Sequence, residues 1–180
     1  MNILVITGSP HHQGTSALLA DEFIRGAREA GHQVSRFDAA QNKRISPCMG
    51  CEYCRSNDSQ CVFIDDMEIV KPDLLAADAV VFVSPTYYFG MSAQIKTVID
   101  RFYAINEQLR SKPKKALLLV SAADDTEAVA DAMKAHFQSI CNYLKWENCG
   151  SLVAFGVYHR EDIERTDFPA KAYELGKSFA

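Results

Sequence analysis

No apolar run in this 180-residue chain approaches the roughly 18 to 20 consecutive residues that a membrane-spanning helix requires. The longest runs, such as Ala79 to Val83 and Ala116 to Val120, have the length of buried strands. The amino terminus, MNILVITGSP, has neither the basic start nor the extended apolar stretch of a secretory signal, and it reads as a first strand. A net charge of −4 removes the basic surplus that a phosphate-backbone partner would need. Neither nucleic acid nor a membrane is therefore expected as a partner, and the expected location is cytoplasmic. Internal repeats, low-complexity tracts and linkers rich in Gly, Ser or Pro are also missing. With 48% of its residues apolar, the chain is expected to form one domain over residues 1–180 around one sizeable core.

What is present is an alternation of short apolar runs with longer segments of helical period, the pattern of a parallel sheet covered by helices on both faces. Five strands are predicted: Ile3–Thr7, Gln33–Phe37, Ala79–Ser84, Ala116–Ser121 and Ser151–Phe155. The second, QVSRF, alternates in polarity and suggests an edge. A helix is expected over Thr15–Ala30, with Leu19, Phe23 and Ala27 on one face and Thr15 or Ser16 as cap. A second is expected over Asp125–Trp146, with Met133, Phe137, Ile140 and Leu144 as its stripe. Ser92 to about Leu109 predicts another, a helix should begin afresh near Pro72, and the last should follow Pro169.

The first strand runs into Gly8-Ser9-Pro10-His11-His12-Gln13-Gly14-Thr15-Ser16 and then a helix. Such a turn offers backbone N–H groups and the positive end of the helix to an anion, and Ser9, Thr15 and Ser16 add hydroxyl donors. Neither G-x-G-x-x-G nor G-x-x-x-x-G-K-[ST] is present, which disfavours a dinucleotide or a triphosphate. A phosphate monoester fits better, and FMN is the common redox cofactor that ends in one. The competing reading is a tight turn in which Ser, Gly and Pro merely serve the geometry. His11 and His12 either donate to the phosphate or stand solvated.

The third strand ends in Ser84-Pro85-Thr86-Tyr87-Tyr88-Phe89-Gly90. In a sheet ordered 2-1-3-4-5 the first and third strands are neighbours at the point where chain direction reverses, and open α/β sheets bind ligands in that crevice. Three consecutive aromatics suit a planar heterocycle; a subunit interface would use them equally well. Of the six cysteines, Cys48, Cys51, Cys54 and Cys61 are spaced C-x2-C-x2-C-x6-C. Three thiolates two residues apart suit three corners of a cubane cluster, with the fourth ligand from a short return. Free redox-active thiols and zinc compete with that reading. Cys141 and Cys149 read as buried small apolar residues.

Three stretches, ILVITGSPHHQGTS, PCMGCEYCRSNDSQCVFIDDM and SPTYYFGMSAQIKTVIDRFY, resemble the NADPH-dependent FMN reductase family and its relatives the iron-sulfur flavoproteins. The resemblance covers about the first 105 residues and implies a flavodoxin-like α/β fold with a five-stranded parallel sheet of order 2-1-3-4-5. It implies that Ser9, Gly14, Thr15 and Ser16, within a loop that also holds His11 and Gln13, bind the FMN phosphate. Pro85, Thr86, Tyr87, Tyr88, Phe89 and Gly90 would pass beside the ribityl chain and ring, and Ser121 and Ala122 would close the other side. Relatives often carry Arg or Lys where His11 and His12 stand, so direct charge on the phosphate is reduced here. The four loop cysteines match the relatives' compact motif for a [4Fe-4S] cluster. Lys96, Asp100 and Arg101 also match and read as salt-bridging or dimer residues. The expected function is transfer of electrons from NAD(P)H or a reduced carrier through FMN to a small acceptor such as free flavin, a quinone, or a nitro or azo compound. The alternatives are an electron-transfer protein that combines FMN with a four-iron cluster and a ferredoxin-like donor, and a structural relative without flavin. No general acid or base is assigned, and the resemblance implies a homodimer or larger homo-oligomer.

Overall fold

The five apolar runs become five strands in the computed structural model, which describes residues 1–41 and 44–180. They are β1 (Asn2–Thr7), β2 (Gln33–Asp38), β3 (Ala79–Pro85), β4 (Lys115–Ser121) and β5 (Glu147–Ala154). All neighbours pair in parallel, in the order β2-β1-β3-β4-β5. QVSRF does lie at an edge. The last strand starts four residues earlier than its apolar run, and this added portion, at the opposite edge, is only partly covered.

Successive side chains of a strand point to opposite faces, and here both faces are buried. Leu4, Ile6, Val80, Phe82, Leu118 and Val120 pack on one side of the sheet. Ile3, Val5, Val81, Val83, Leu117 and Leu119 pack on the other. The helices are α1 (Thr15–Glu29), α2 (Met67–Ala76), α3 (Ala93–Asp100), α4 (Asn106–Ser111), α5 (Asp131–Leu144), α6 (Arg160–Glu164) and α7 (Phe168–Ser178). The first layer is covered by α2 to α5 and the second by α1, α6 and α7. Leu19, Phe23 and Ala27 are fully buried, as the stripe on α1 predicts. None of the helices among the described residues is long and apolar enough to cross a membrane.

Several local expectations are corrected. The helix expected from Ser92 to Leu109 is three pieces, because a 3-10 segment, Arg101–Ile105, separates α3 from α4 and turns Arg101 inward. The helix expected over Asp125–Trp146 is a 3-10 turn, Glu127–Ala130, followed by α5, with Cys141 rather than Ile140 fully buried. Pro72 does not begin α2 but sits in its second turn. Pro169 occupies the second position of α7, close to where a helix-starting proline belongs. Cys141 is buried as expected, whereas Cys149 is only half-buried because it lies in the exposed part of β5.

Candidate functional site

The carboxyl ends of β1, β3 and β4 are tied together by hydrogen bonds that fix the loops leaving them. Gly8 N donates to Val83 O at 2.8 Å, and Gly8 O accepts from Ser92 Oγ at 2.7 Å. A Cβ at position 8 would stand 2.3 Å from that hydroxyl, so glycine is what lets the two loops close on each other. Ser92 N in turn donates to Ser84 Oγ at 3.0 Å. Thr15 Oγ1 donates to Ser121 Oγ at 3.0 Å, and Thr86 N to Ser121 O at 2.8 Å, bringing the loop after β4 into the same frame.

These loops surround a cavity of about 720 Å³, within the roughly 300–1,000 Å³ range of small-molecule sites. Ser9, His11, Gln13, Gly14, Thr15 and Ser16 form one wall. Pro85, Thr86 and Tyr87 form a second, and Ser121 and Ala122 contribute between them. Gly14 is the N-cap of α1, and no side chain caps that end, although capping by Thr15 or Ser16 is the sequence expectation. Thr15 spends its hydroxyl on Ser121 and Ser16 lies inside the helix, so the first-turn N–H groups keep their capacity to bind an anion. Ser9 Oγ instead holds the loop, accepting from His11 N at 3.1 Å. Thr86 Oγ1 is buried without a hydrogen-bond partner. A native fold leaves few such atoms, and this one belongs to a cavity-lining residue.

The aromatic run divides. Tyr87 lines the cavity, while Tyr88, Phe89 and Gly90 stand outside its lining. Tyr87 and Gly90 exchange backbone hydrogen bonds of 3.0 and 3.1 Å around a tight turn. That turn puts Tyr88 and Phe89 at positive φ, 47° and 63°, with both rings exposed.

The four loop cysteines line a separate pocket, together with Phe63, Arg101 and Tyr103. Cys48 and Cys51 are exposed, Cys54 and Cys61 are half-buried, and all four are free. Among the described residues no three Cys, His, Asp or Glu groups are arranged as a metal-binding set. The loop is pinned at both ends by Arg101, whose side chain is 1% exposed. Its Nη1 donates to Ser46 O at 2.8 Å and to Asp65 Oδ2 at 2.7 Å, and its Nη2 donates to Asp65 Oδ1 at 3.2 Å. Asp65 also accepts from Ser46 N at 3.0 Å. Burial would raise the Asp65 carboxyl's pKa, but the bonds from Arg101, Ser46 and Met67 outweigh that and hold it below its ordinary value. Lys96 and Asp100 form an exposed ion pair at 2.5 Å on α3.

Residues 1–157 match the family model described as NADPH-dependent FMN reductase. The chain belongs to this family of oxidoreductases. It is similar to an iron-sulfur flavoprotein of Archaeoglobus fulgidus, with 31% identity over 100% of this chain and 79% of that protein. It is also similar to an iron-sulfur flavoprotein of Methanocaldococcus jannaschii, with 34% identity over 62% of this chain and 58% of that one. The chain thus spans less than two thirds of the length of the second relative. Among solved structures, an NAD(P)H:quinone oxidoreductase from Methanothermobacter marburgensis superposes with a TM-score of 0.76, covering 99% of this chain and 96% of that one at 19% identity, a likeness of fold.

One part of the cavity in this FMN reductase family member is only partly foreseen from sequence. Val157, Tyr158, His159 and Arg160, which follow β5, also line it. From their place just after the fifth strand, Tyr158 and His159 read either as approaching a flavin or, by preference, as a surface loop, and Arg160 is passed over. The available signal is the order of the sheet itself, since β5 adjoins β4 and its carboxyl end must open onto the same edge. The turn is fastened there by Val157 N donating to Ala122 O at 2.9 Å.

Proposed function

We propose that the cavity binds FMN, with the phosphate at the uncapped start of α1 and the ring beside Pro85, Thr86 and Tyr87. On this reading the protein passes electrons from NAD(P)H, or from a reduced carrier, to a small acceptor such as free flavin, a quinone, or a nitro or azo compound. The observation that carries it is the uncapped start of α1 opening onto one cavity of cofactor size, whose lining includes Thr86 with its buried, partnerless hydroxyl. FMN, when bound, supplies the redox chemistry, taking up electrons one or two at a time. The chain's own residues bind, orient and screen it. The Gly8–Ser16 loop takes the anionic end, Thr86 Oγ1 gains a partner, and Tyr87, Ala122 and Val157 give the ring apolar contact. Tyr88 and Phe89 remain exposed, and they suit the interface of a homodimer or larger homo-oligomer. A cytoplasmic setting keeps the six free thiols reduced. The test is uptake of FMN by flavin-free protein, followed by steady-state oxidation of NADH and NADPH with a quinone acceptor. Flavin uptake with acceptor-dependent turnover is expected; failure to take up FMN contradicts the reading.

A second reading adds a four-iron cluster at Cys48, Cys51, Cys54 and Cys61, making the protein an electron-transfer protein served by a ferredoxin-like donor. It is favoured by the four thiols sharing one pocket and by the similarity to proteins named iron-sulfur flavoproteins. The donor set fits, since soft thiolates are what such clusters use. The pocket that these thiols share with Phe63, Arg101 and Tyr103 measures only about 20 Å³, little more than one water requires. Iron and sulfide analysis after anaerobic purification separates the readings: about four irons per chain supports the cluster, and iron far below that level contradicts it.

A further inference from the structure

The loop that reads as a phosphate site has histidines where a fixed positive charge would be expected, and no lysine or arginine lies within it. The cavity supplies that charge from the turn after β5, which meets the loop at Gln13. Arg160, the first residue of α6, lines the cavity, and it is the sole Lys or Arg to do so among the described residues. No Asp or Glu lines it among the described residues. In a chain whose net charge is −4, Arg160 is the fixed cation of this lining, its charge shared with Glu164 at 2.7 Å.

The guanidinium is held where it reaches the loop. Nη1 donates to Gln13 O at 3.5 Å, bridging 147 residues of sequence onto the rim of the Gly8–Ser16 loop. Nε donates to Glu164 Oε1 at 2.7 Å, one helical turn away. The backbone under it is anchored by Asp162, whose Oδ2 accepts from Tyr158 N at 3.0 Å and His159 N at 2.7 Å. Of the five guanidinium N–H donors, those on Nη2 have no protein partner among the described residues. The side chain is about one third exposed. It is thus placed by its neighbours yet keeps donors for an incoming anion.

We infer that Arg160 is a cofactor-binding residue that contacts the FMN phosphate beside the Gly8–Ser16 loop, supplying the fixed positive charge that the loop lacks and setting the preference for FMN over riboflavin. This rests on the flavin reading above. A charge-assisted contact of this kind, partly offset by Glu164, corresponds to about a tenfold effect on affinity or more. R160Q is therefore expected to weaken FMN binding at least tenfold while changing riboflavin binding less than twofold, with R160K falling between R160Q and the wild type. FMN affinity of the wild type is expected to fall more steeply with ionic strength than that of R160Q.

Fluorescence titration of flavin-free wild type, R160Q and R160K with each flavin makes the test, with thermal denaturation of the same samples confirming that they are folded. If R160Q binds both flavins as the wild type does, or loses affinity for both alike, the arginine serves only the loop's shape and the inference is overturned while the flavin reading stands. Parallel salt dependences for wild type and R160Q overturn it in the same way. Wild-type protein that takes up neither flavin overturns the flavin reading, and this inference with it.

Discussion

Thr86 carries the most informative oxygen in the molecule. A buried hydroxyl without a partner costs about 1–3 kcal/mol, and the fold keeps one on a residue that lines the candidate cofactor cavity. Thr86→Val replaces it by a group of nearly the same shape. Flavin-free protein carrying that change is expected to be more stable by about 1 kcal/mol, read as a higher urea midpoint, and to bind FMN several-fold more weakly. A loss of stability with unchanged FMN binding would make the hydroxyl structural. Lys114 offers a second residue-scale test. Its side chain is buried and donates to Leu75 O at 3.1 Å, in the last turn of α2, and to Ala77 O at 2.6 Å, just beyond it. Burial, and then the nearby Lys112, push its pKa down to about 8. Between pH 8 and the ordinary lysine value of about 10.4, the unfolded chain holds a proton that the folded chain has released, so stability from this group rises with pH across that window. Urea denaturation at pH 8 and 10 should show a wild-type gain on the order of 2 kcal/mol relative to Lys114→Met. Equal pH responses in the two proteins would contradict the shift.

Between elements, α1 and α7 meet backbone to backbone. A Cβ on Gly26 would lie 2.1 Å from Tyr173 O, and one on Gly176 would lie 2.1 Å from Phe23 O. Two glycines facing each other's backbones allow the helices to meet without side chains between them, and no flexible group can yield. Gly176→Ala is expected to cost about 3 kcal/mol, measured by chemical denaturation, even though alanine is the better helix former. The cysteine loop depends on a different joint, the Arg101–Asp65 pair. Removing one partner of a buried pair costs about 3–5 kcal/mol, and here the cost falls on the segment between Ser46 and Asp65. Asp65→Asn should lower the urea midpoint and expose that segment to limited proteolysis; unchanged cleavage would mean that the loop is held by other contacts. This joint also shows where sequence pattern stops. SAQIKTVIDRFYAINEQL reads as one amphipathic helix, but the inward turn of Arg101 toward a carboxylate 36 residues earlier breaks it with a 3-10 segment. The short helix α6 is invisible to periodicity for the simpler reason that five residues hold barely more than one turn.

For the molecule as a whole, the sheet was legible because strands buried on both faces must be apolar throughout, and Ile3–Thr7, Ala79–Ser84 and Ala116–Ser121 are. The edge position of QVSRF followed from its alternation. Strand order is a long-range property that no single run encodes, and it was legible through the resemblance alone. Given that order, the meeting of the loops after β1 and β3 follows from chain reversal between neighbouring strands, and eleven of the fourteen residues expected around a cofactor line one cavity. Tyr88 and Phe89 do not, because a four-residue turn with positive φ points them outward, and an aromatic run does not announce its backbone conformation. Arg160 was missed because its relation to Gln13 exists only across 147 residues. The cysteine spacing, by contrast, disclosed proximity, which is all that spacing can disclose. These elements converge on one expectation, a single FMN held between the loop from Gly8 to Ser16 and the wall from Val157 to Arg160. The measurement that bears on it most directly is a titration of flavin-free protein with FMN, followed by flavin fluorescence and the visible spectrum. Saturation at one FMN per chain, with quenched emission and a shifted absorption band, is the predicted result. Flavin fluorescence and absorption that stay those of free FMN at every ratio would contradict it.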